Sequence, residues 1–179
     1  YSAYGLYYQW GRKDPLVLNA RVAPSYGDVF SLYGNDYTTE QNTIEYTYAH
    51  PTEFYDDVNW DGNLDMWHSE KTINDPCPAG WRVPNIEVWN NFGDGGRQCP
   101  TGTYLVLSAP NVDQTTYYPF AGCADWTSTY SDYFNSDGYY WSTTSGYIFK
   151  VWNCGYSQTY ELNSGNKASI RCMKDEKKP

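Results

Sequence analysis

Four oxygen-bearing residues of the run DVNWDGNLD stand where a calcium loop needs its ligands. Asp57, Asn59 and Asp61 take the first, third and fifth places, Gly62 the sixth, Leu64 the eighth and Asp65 the ninth, the spacing of an EF-hand or dockerin loop. The twelfth place is His68, which has no carboxylate to chelate an ion, and Glu70 is out of register. The competing reading is a solvated acidic turn between two tryptophans. A single Ca2+ bound there would be structural, not catalytic.

Five cysteines, Cys77, Cys99, Cys123, Cys154 and Cys172, show no CxxC and no zinc-ligand spacing, so disulfides are the better reading. The odd count leaves at least one thiol over. Cys123 and Cys154 each follow an apolar strand and form one expected pair. His50 and His68 are the only histidines, and neither accompanies a nucleophile motif such as GxSxG. The carboxylate pairs Asp56–Asp57 and Asp132–Asp137 come without the signal of a glycosidase cleft and are read as solvated. These residues point away from an enzyme.

Composition narrows the partners. The net charge of −9 argues against nucleic acid and anionic membranes, both of which need a basic face. No apolar run approaches the ~18 residues of a membrane span. Aromatics make up 19% of the 179 residues, and Tyr alone supplies 20. Tyr offers large contact area at small rotamer entropy, which binding surfaces exploit. The alternative is that many of these rings half-bury in a loop-rich α+β fold.

The elements that position such residues are organised around 71–89, KTINDPCPAGWRVPNIEVW. Pro76, Pro78 and Pro84 fix their own φ and extend the residue before, so the segment travels as a stiff strap. Trp81 and Val83 are expected to anchor it in the core. Asn85 is a good helix cap, Glu87 suits the positive end of the dipole, and Ile86, Trp89 and Phe92 recur at helical spacing up to Gly93. The pattern predicts a helix over 86–92. A second is predicted over 43–49, with Ile44 and Tyr48 on one face, Asn42 or Thr43 as cap and Pro51 as stop. Strands are expected within 1–10 before the turn GRKDP, and in TYLVLSA, TTYYPFAGC, GYYWSTTSG, YIFKVWN, Gln158–Leu162 and KASIRCMK. Residues 19–42 and 124–138 read as loops, and 176–179 as a frayed tail. The fold class is α+β: one domain over 1–175, a twisted antiparallel sheet with two short helices and extensive loops.

Four runs, YYQWGRKDP, DPCPAGWRVPN, GYYWSTTSG and SIRCMKD, stand in an order that resembles the Fibrobacter succinogenes major paralogous domain family of Bacteroidota surface proteins. That resemblance implies a C-type-lectin-like fold, in which a bridge commonly ties the helix region to the last strand. Cys77 and Cys172 occupy such positions, and the bridge would contribute about 4–5 kcal/mol in the chain-entropy model. Chains of the family usually open with a strand carrying a Trp-Met-Asp-Arg-Asn-Leu run, here expected before Tyr1. Its absence would leave 168–174 as an open edge, to be filled by that leading segment or by a neighbouring subunit through β-augmentation. The sugar-binding triplets of calcium-dependent lectins are missing, since Val83-Pro84-Asn85 and Trp152-Asn153-Cys154 lack the needed carboxylate or amide. Formylglycine-generating enzymes share the fold, but nothing around Cys99 or Cys154 strongly supports a depressed pKa.

The C-terminal third carries the sharper signal. Between Cys123 and Ile170, residues such as Trp126, Trp141, Lys150, Trp152, Gln158 and Glu161 alternate with others drawn from Tyr, Asn, Ser, Asp, Phe and Cys. The second set could arise from adenine randomisation of Asn-type codons, which resembles the variable proteins of diversity-generating retroelements. The expected ligand face is Tyr130, Tyr133, Phe134, Asn135, Tyr147, Phe149, Asn153, Tyr156 and Tyr160. The function read from this is extracellular recognition of protein or glycan by a surface lipoprotein or pilus tip. A structural pilus subunit, joined to other pilus subunits, is the second class, and a formylglycine-generating-type cysteine oxidase the third.

Overall fold

The computed structural model describes residues 6–15, 19–20, 37–38, 49, 54–55, 66–91, 97–98, 104–108, 115–125, 130–152 and 156–175. Sheet dominates them. The largest sheet has five strands in the order Tyr7–Gln9, Lys167–Ser169, Asp137–Trp141, Tyr147–Trp152, Tyr156–Glu161. Neighbours are antiparallel, except that Lys167–Ser169 runs parallel to Asp137–Trp141. A second, antiparallel sheet is a meander of Arg97–Gln98, Tyr104–Ser108 and Thr115–Pro119. Two-residue parallel pairs join Asn19–Ala20 to Tyr130–Ser131 and Tyr37–Thr38 to Phe54–Tyr55.

The edge expected to stand open is covered where it is described. Tyr7 lies opposite Ser169 and Gln9 opposite Lys167, while Met173–Lys174 pairs with Trp81–Arg82. The placement of that neighbour before Tyr1 is therefore corrected: Tyr7–Gln9 fills the position. Its side chains hold it there. The Tyr7 hydroxyl donates to the Ala121 carbonyl and Gln9 Nε2 to the Gly165 carbonyl at 2.6 Å. Indole N–H groups lock the next layer, Trp141 onto the Tyr8 carbonyl at 2.6 Å and Trp10 onto the Ser142 carbonyl at 3.0 Å.

Strand residues point alternately to opposite faces, and here both faces of the large sheet carry buried residues. Tyr139, Trp141 and Ile148 join Trp10, Trp67, Val83, Cys77 and Ala168 on one side. Tyr140, Phe149 and Val151 join Trp89, Leu105, Tyr118 and Phe120 on the other. Glycine is required where chains approach closely at Gly122: its φ is +74°, and a Cβ would meet the Asp132 carbonyl oxygen at 2.0 Å.

The strap is held by one buried carboxylate. Asp75 Oδ1 accepts from the Cys77 N–H at 2.8 Å and from Lys71 Nζ at 3.0 Å, and Oδ2 accepts from the Val83 N–H at 2.9 Å. Val83 is fully buried as expected, but Trp81 is 44% exposed. The anchoring role assigned to Trp81 is corrected for that reason: it pairs through its backbone with Lys174, and its side chain stays part-exposed at the surface. The helix runs Ile86–Asn90, with Asn85 capping the Val88 N–H at 3.0 Å, Glu87 in the first turn and Trp89 buried. It ends before the 92 expected, at a C-cap on Asn91, and Phe92 lies outside the described residues. Cys77 is bonded to Cys172, fastening the strap to the C-terminal segment as the resemblance implied. Of the expected 43–49 helix only Ala49, helical, is described, and Asp57, Asn59, Asp61 and Asp65 lie outside the described residues.

Candidate functional site

The two hairpins that build the centre of the large sheet carry one set of aligned side chains. Tyr139 stands opposite Lys150 and Asp137 opposite Trp152, while Gln158 stands opposite Lys150 and Tyr156 opposite Trp152. Period two therefore puts Asp137, Tyr139, Lys150, Trp152, Tyr156, Gln158 and Tyr160 on one face. At the Trp141–Ile148 end that face is core. Toward the Tyr156–Glu161 strand it opens: Tyr156 is 63% and Tyr160, opposite Ile148, 48% exposed.

Lys150 gathers the rings. Its Nζ lies 4.9 Å from the Tyr139 ring centre, 5.4 Å from Trp152, 5.5 Å from Tyr133 and 5.7 Å from Tyr160. Each such approach is favourable because the ring face is negative. Asp137 Oδ2 neutralises the ammonium at 3.1 Å. Trp152 and Tyr156 lie nearly parallel, 24° apart with centres 5.9 Å apart. The result is an aromatic platform around an ion pair that cancels its own charge.

Tyr133 reaches the platform from a turn whose backbone is unusual. Tyr133 and Asn135 have φ of 58° and 63°, a conformation that non-glycine residues seldom adopt. The turn is clamped: the Ser136 and Asp137 N–H groups both donate to the Tyr133 carbonyl at 3.0 Å, and the Asn135 N–H to the Phe120 carbonyl at 2.8 Å. Such backbone strain concentrates where a side chain must be aimed.

Of the residues expected on a ligand face, Tyr133, Tyr156 and Tyr160 belong to this platform, and Phe134 and Asn135 share the Tyr133 turn. Tyr147 is exposed but faces the other way, its hydroxyl donating to Glu161 Oε1 at 3.0 Å, which raises its pKa. Phe149 is corrected outright. It is 1% exposed and stacks on Trp89 with ring centres 4.8 Å apart, because its odd position in the strand puts it under the helix. The side chain of Tyr130 and the whole of Asn153 lie outside the described residues. Sequence reasoning missed Lys150 and Trp152 as site members, and its reading of Asp137 as solvated is corrected, since that carboxylate is buried and paired with Lys150. Extending period two from Tyr156 and Tyr160 across the 147–161 hairpin would have found the first two.

The pairing of Cys123 with Cys154 is also corrected. Cys123 is a free, buried thiol packed among Tyr139, Trp141 and Ile148. Burial first, then the nearby Asp132 charge, push its pKa up to about 12, so it is no thiolate nucleophile. The Tyr139 phenol is raised mainly by the same burial. Cys99 and Cys154 lie outside the described residues, and among the described residues no cluster of His, Cys, Asp and Glu is arranged to hold a metal ion. No described helix is long and apolar enough to cross a membrane. No family model matches the chain, and no curated protein or solved structure matches it.

Proposed function

We propose that the chain is a non-enzymatic, extracellular recognition domain of adhesin type with a C-type-lectin-like fold, borne by a bacterial surface lipoprotein or pilus tip. It binds a protein or glycan through the platform of Tyr133, Trp152, Tyr156 and Tyr160. The observation that carries this reading is the convergence of exposed rings on one face around Lys150. Exposed, pre-arranged aromatics are what recognition surfaces use for affinity. Two features support the fold assignment: the first and last described strands of the large sheet lie side by side, and Cys77–Cys172 ties the strap to the C-terminal segment. The disulfide favours an oxidising compartment.

The test is binding of the fluorescently tagged chain to bacterial and epithelial cell surfaces, compared with single alanine variants. Trp152→Ala and Tyr156→Ala should each weaken binding about tenfold or more, the loss expected for a hot-spot ring. Tyr117→Ala removes an exposed ring from the meander sheet and should leave binding unchanged. Equal effects of all three would overturn the platform as the site.

A further inference from the structure

The strand beside the platform, Tyr156–Glu161, is the last in the order of the large sheet, and no described strand lies beyond it. Which backbone groups face outward follows from the register. The Leu162 N–H donates to the Gly146 carbonyl at 2.9 Å, and these two residues stand opposite each other one step beyond the Tyr147–Glu161 pair. Hydrogen-bonded and non-hydrogen-bonded pairs alternate along an antiparallel ladder. Tyr160, Gln158 and Tyr156 therefore bond inward to Ile148, Lys150 and Trp152. The Ser142 N–H, donating to the Tyr147 carbonyl at 3.1 Å, fixes the same phase from the other side of the hairpin. The N–H and C=O groups of Ser157, Thr159 and Glu161 consequently point away from the sheet.

Nothing in the strand blunts that edge. Proteins protect edges with Pro, Lys, bulges or very short strands. Tyr156–Glu161 is six residues long and reads YSQTYE, without Pro, Gly or Lys. The helix packs beneath the opposite face, Trp89 on Phe149, and lies close to this strand as well, but no described hydrogen bond joins it to the strand's backbone. A row of outward donors and acceptors at strand spacing is complementary to another extended backbone, the pairing used in β-strand addition.

We propose that this edge docks an extended segment of a partner polypeptide, which adds a strand to the sheet and lays alternate side chains beside Tyr156 and Tyr160. The inference rests on the recognition reading and names its ligand as protein. Charge sets the sequence preference. Glu161 is the only ionisable carboxylate on the strand, Lys150 is already paired with Asp137, and the chain carries −9 overall. A segment bearing Arg or Lys, with no excess of acid, fits best, and a guanidinium can also stack on the tyrosine faces.

The probe is a display library of random peptides of about ten residues, enough to span a six-residue edge, each with one fixed arginine. It is panned against the whole chain. Enriched peptides are then made synthetically and N-methylated one residue at a time. Docking by strand addition predicts loss of about tenfold or more at every second residue and little change between them, because only alternate N–H groups face the edge. Thr159→Pro removes one outward N–H while sparing the inward bonds, so peptide affinity should fall with melting temperature nearly unchanged. If that variant fails to fold, the N-methyl period decides alone. No enriched peptide, or a scan without a two-residue period, overturns the inference. Cellotetraose separates it from the recognition reading: saturable binding abolished by Trp152→Ala, without peptide binding, keeps the platform and sinks the strand edge. Failure of peptide, sugar and cell surface alike sinks both.

Discussion

At Asp75 a single carboxylate supplies the order that three prolines deny their own segment. Pro76, Pro78 and Pro84 have no N–H to donate, and the strap they stiffen has little regular pairing of its own. Both Asp75 oxygens are used, on two backbone N–H groups and one ammonium, with the side chain 1% exposed. Truncation would orphan the buried N–H groups of Cys77 and Val83. Asp75→Ala should therefore cost about 3 kcal/mol or more, since buried unsatisfied donors and a lost charge-assisted bond add together. Urea denaturation measures it; a loss below about 1 kcal/mol would show that water replaces the carboxylate. This residue was invisible to sequence reasoning. Asp before Pro reads as an ordinary turn, and only the return of Val83 beside Cys77 gives the carboxylate its second partner.

The strand Lys167–Ser169 offers a test at the level of an element. Lys167 is fully buried between Gln9 and the Ala124 bridge, its Nζ donating to the Asp125 carbonyl at 3.2 Å, with Arg12 nearby. Burial, partly offset by the Asp125 charge, lowers its pKa from 10.5 to about 7. Above about pH 7 the folded chain releases this proton while the unfolded chain keeps it to about 10.5. The unfolded state then binds more protons, so this group makes stability rise with pH across that window. Cys123 acts in the opposite sense above 9, because the folded thiol holds its proton to about 12. The clean interval is pH 7 to 9. There the melting temperature should rise with pH less steeply in Lys167→Met than in the unaltered chain, and equal slopes would place the titration elsewhere. The helix Ile86–Asn90 shows the converse case of a readable element: Asn85, Glu87 and Trp89 marked it because capping and dipole effects are local. Its end at Asn90 was less readable, since Phe92 continues the apolar spacing.

For the molecule as a whole, Cys77–Cys172 closes a loop with a sequence separation of 95. In the chain-entropy model its loss should lower stability by about 4–5 kcal/mol. The double variant Cys77→Ser, Cys172→Ser, melted beside the unaltered chain, measures this. A loss below about 1 kcal/mol would mean that the pairing of Met173–Lys174 with Trp81–Arg82 and the Asp75 clamp hold the strap without the bridge.

Local chemistry determined much of this protein from the sequence alone: the stiff strap and its proline phase, the helix start at Asn85, the strand after Gly102, the strand through Tyr139–Trp141, and the net charge of −9. Each depends on neighbours within a few positions, where φ restriction, capping and alternation act directly. Tertiary structure alone decided which rings meet solvent. Phe149 and Lys150 are adjacent, and period two says only that they face opposite ways. The side that became core was settled by distant elements, Trp89 from the helix and Leu105, Tyr118 and Phe120 from the meander, which cover Phe149 and leave Lys150 among open rings. The same holds for Tyr7–Gln9, whose pairing with Lys167–Ser169 joins opposite ends of the chain. Burial is a property of what packs on a face, and no run of residues carries that information by itself.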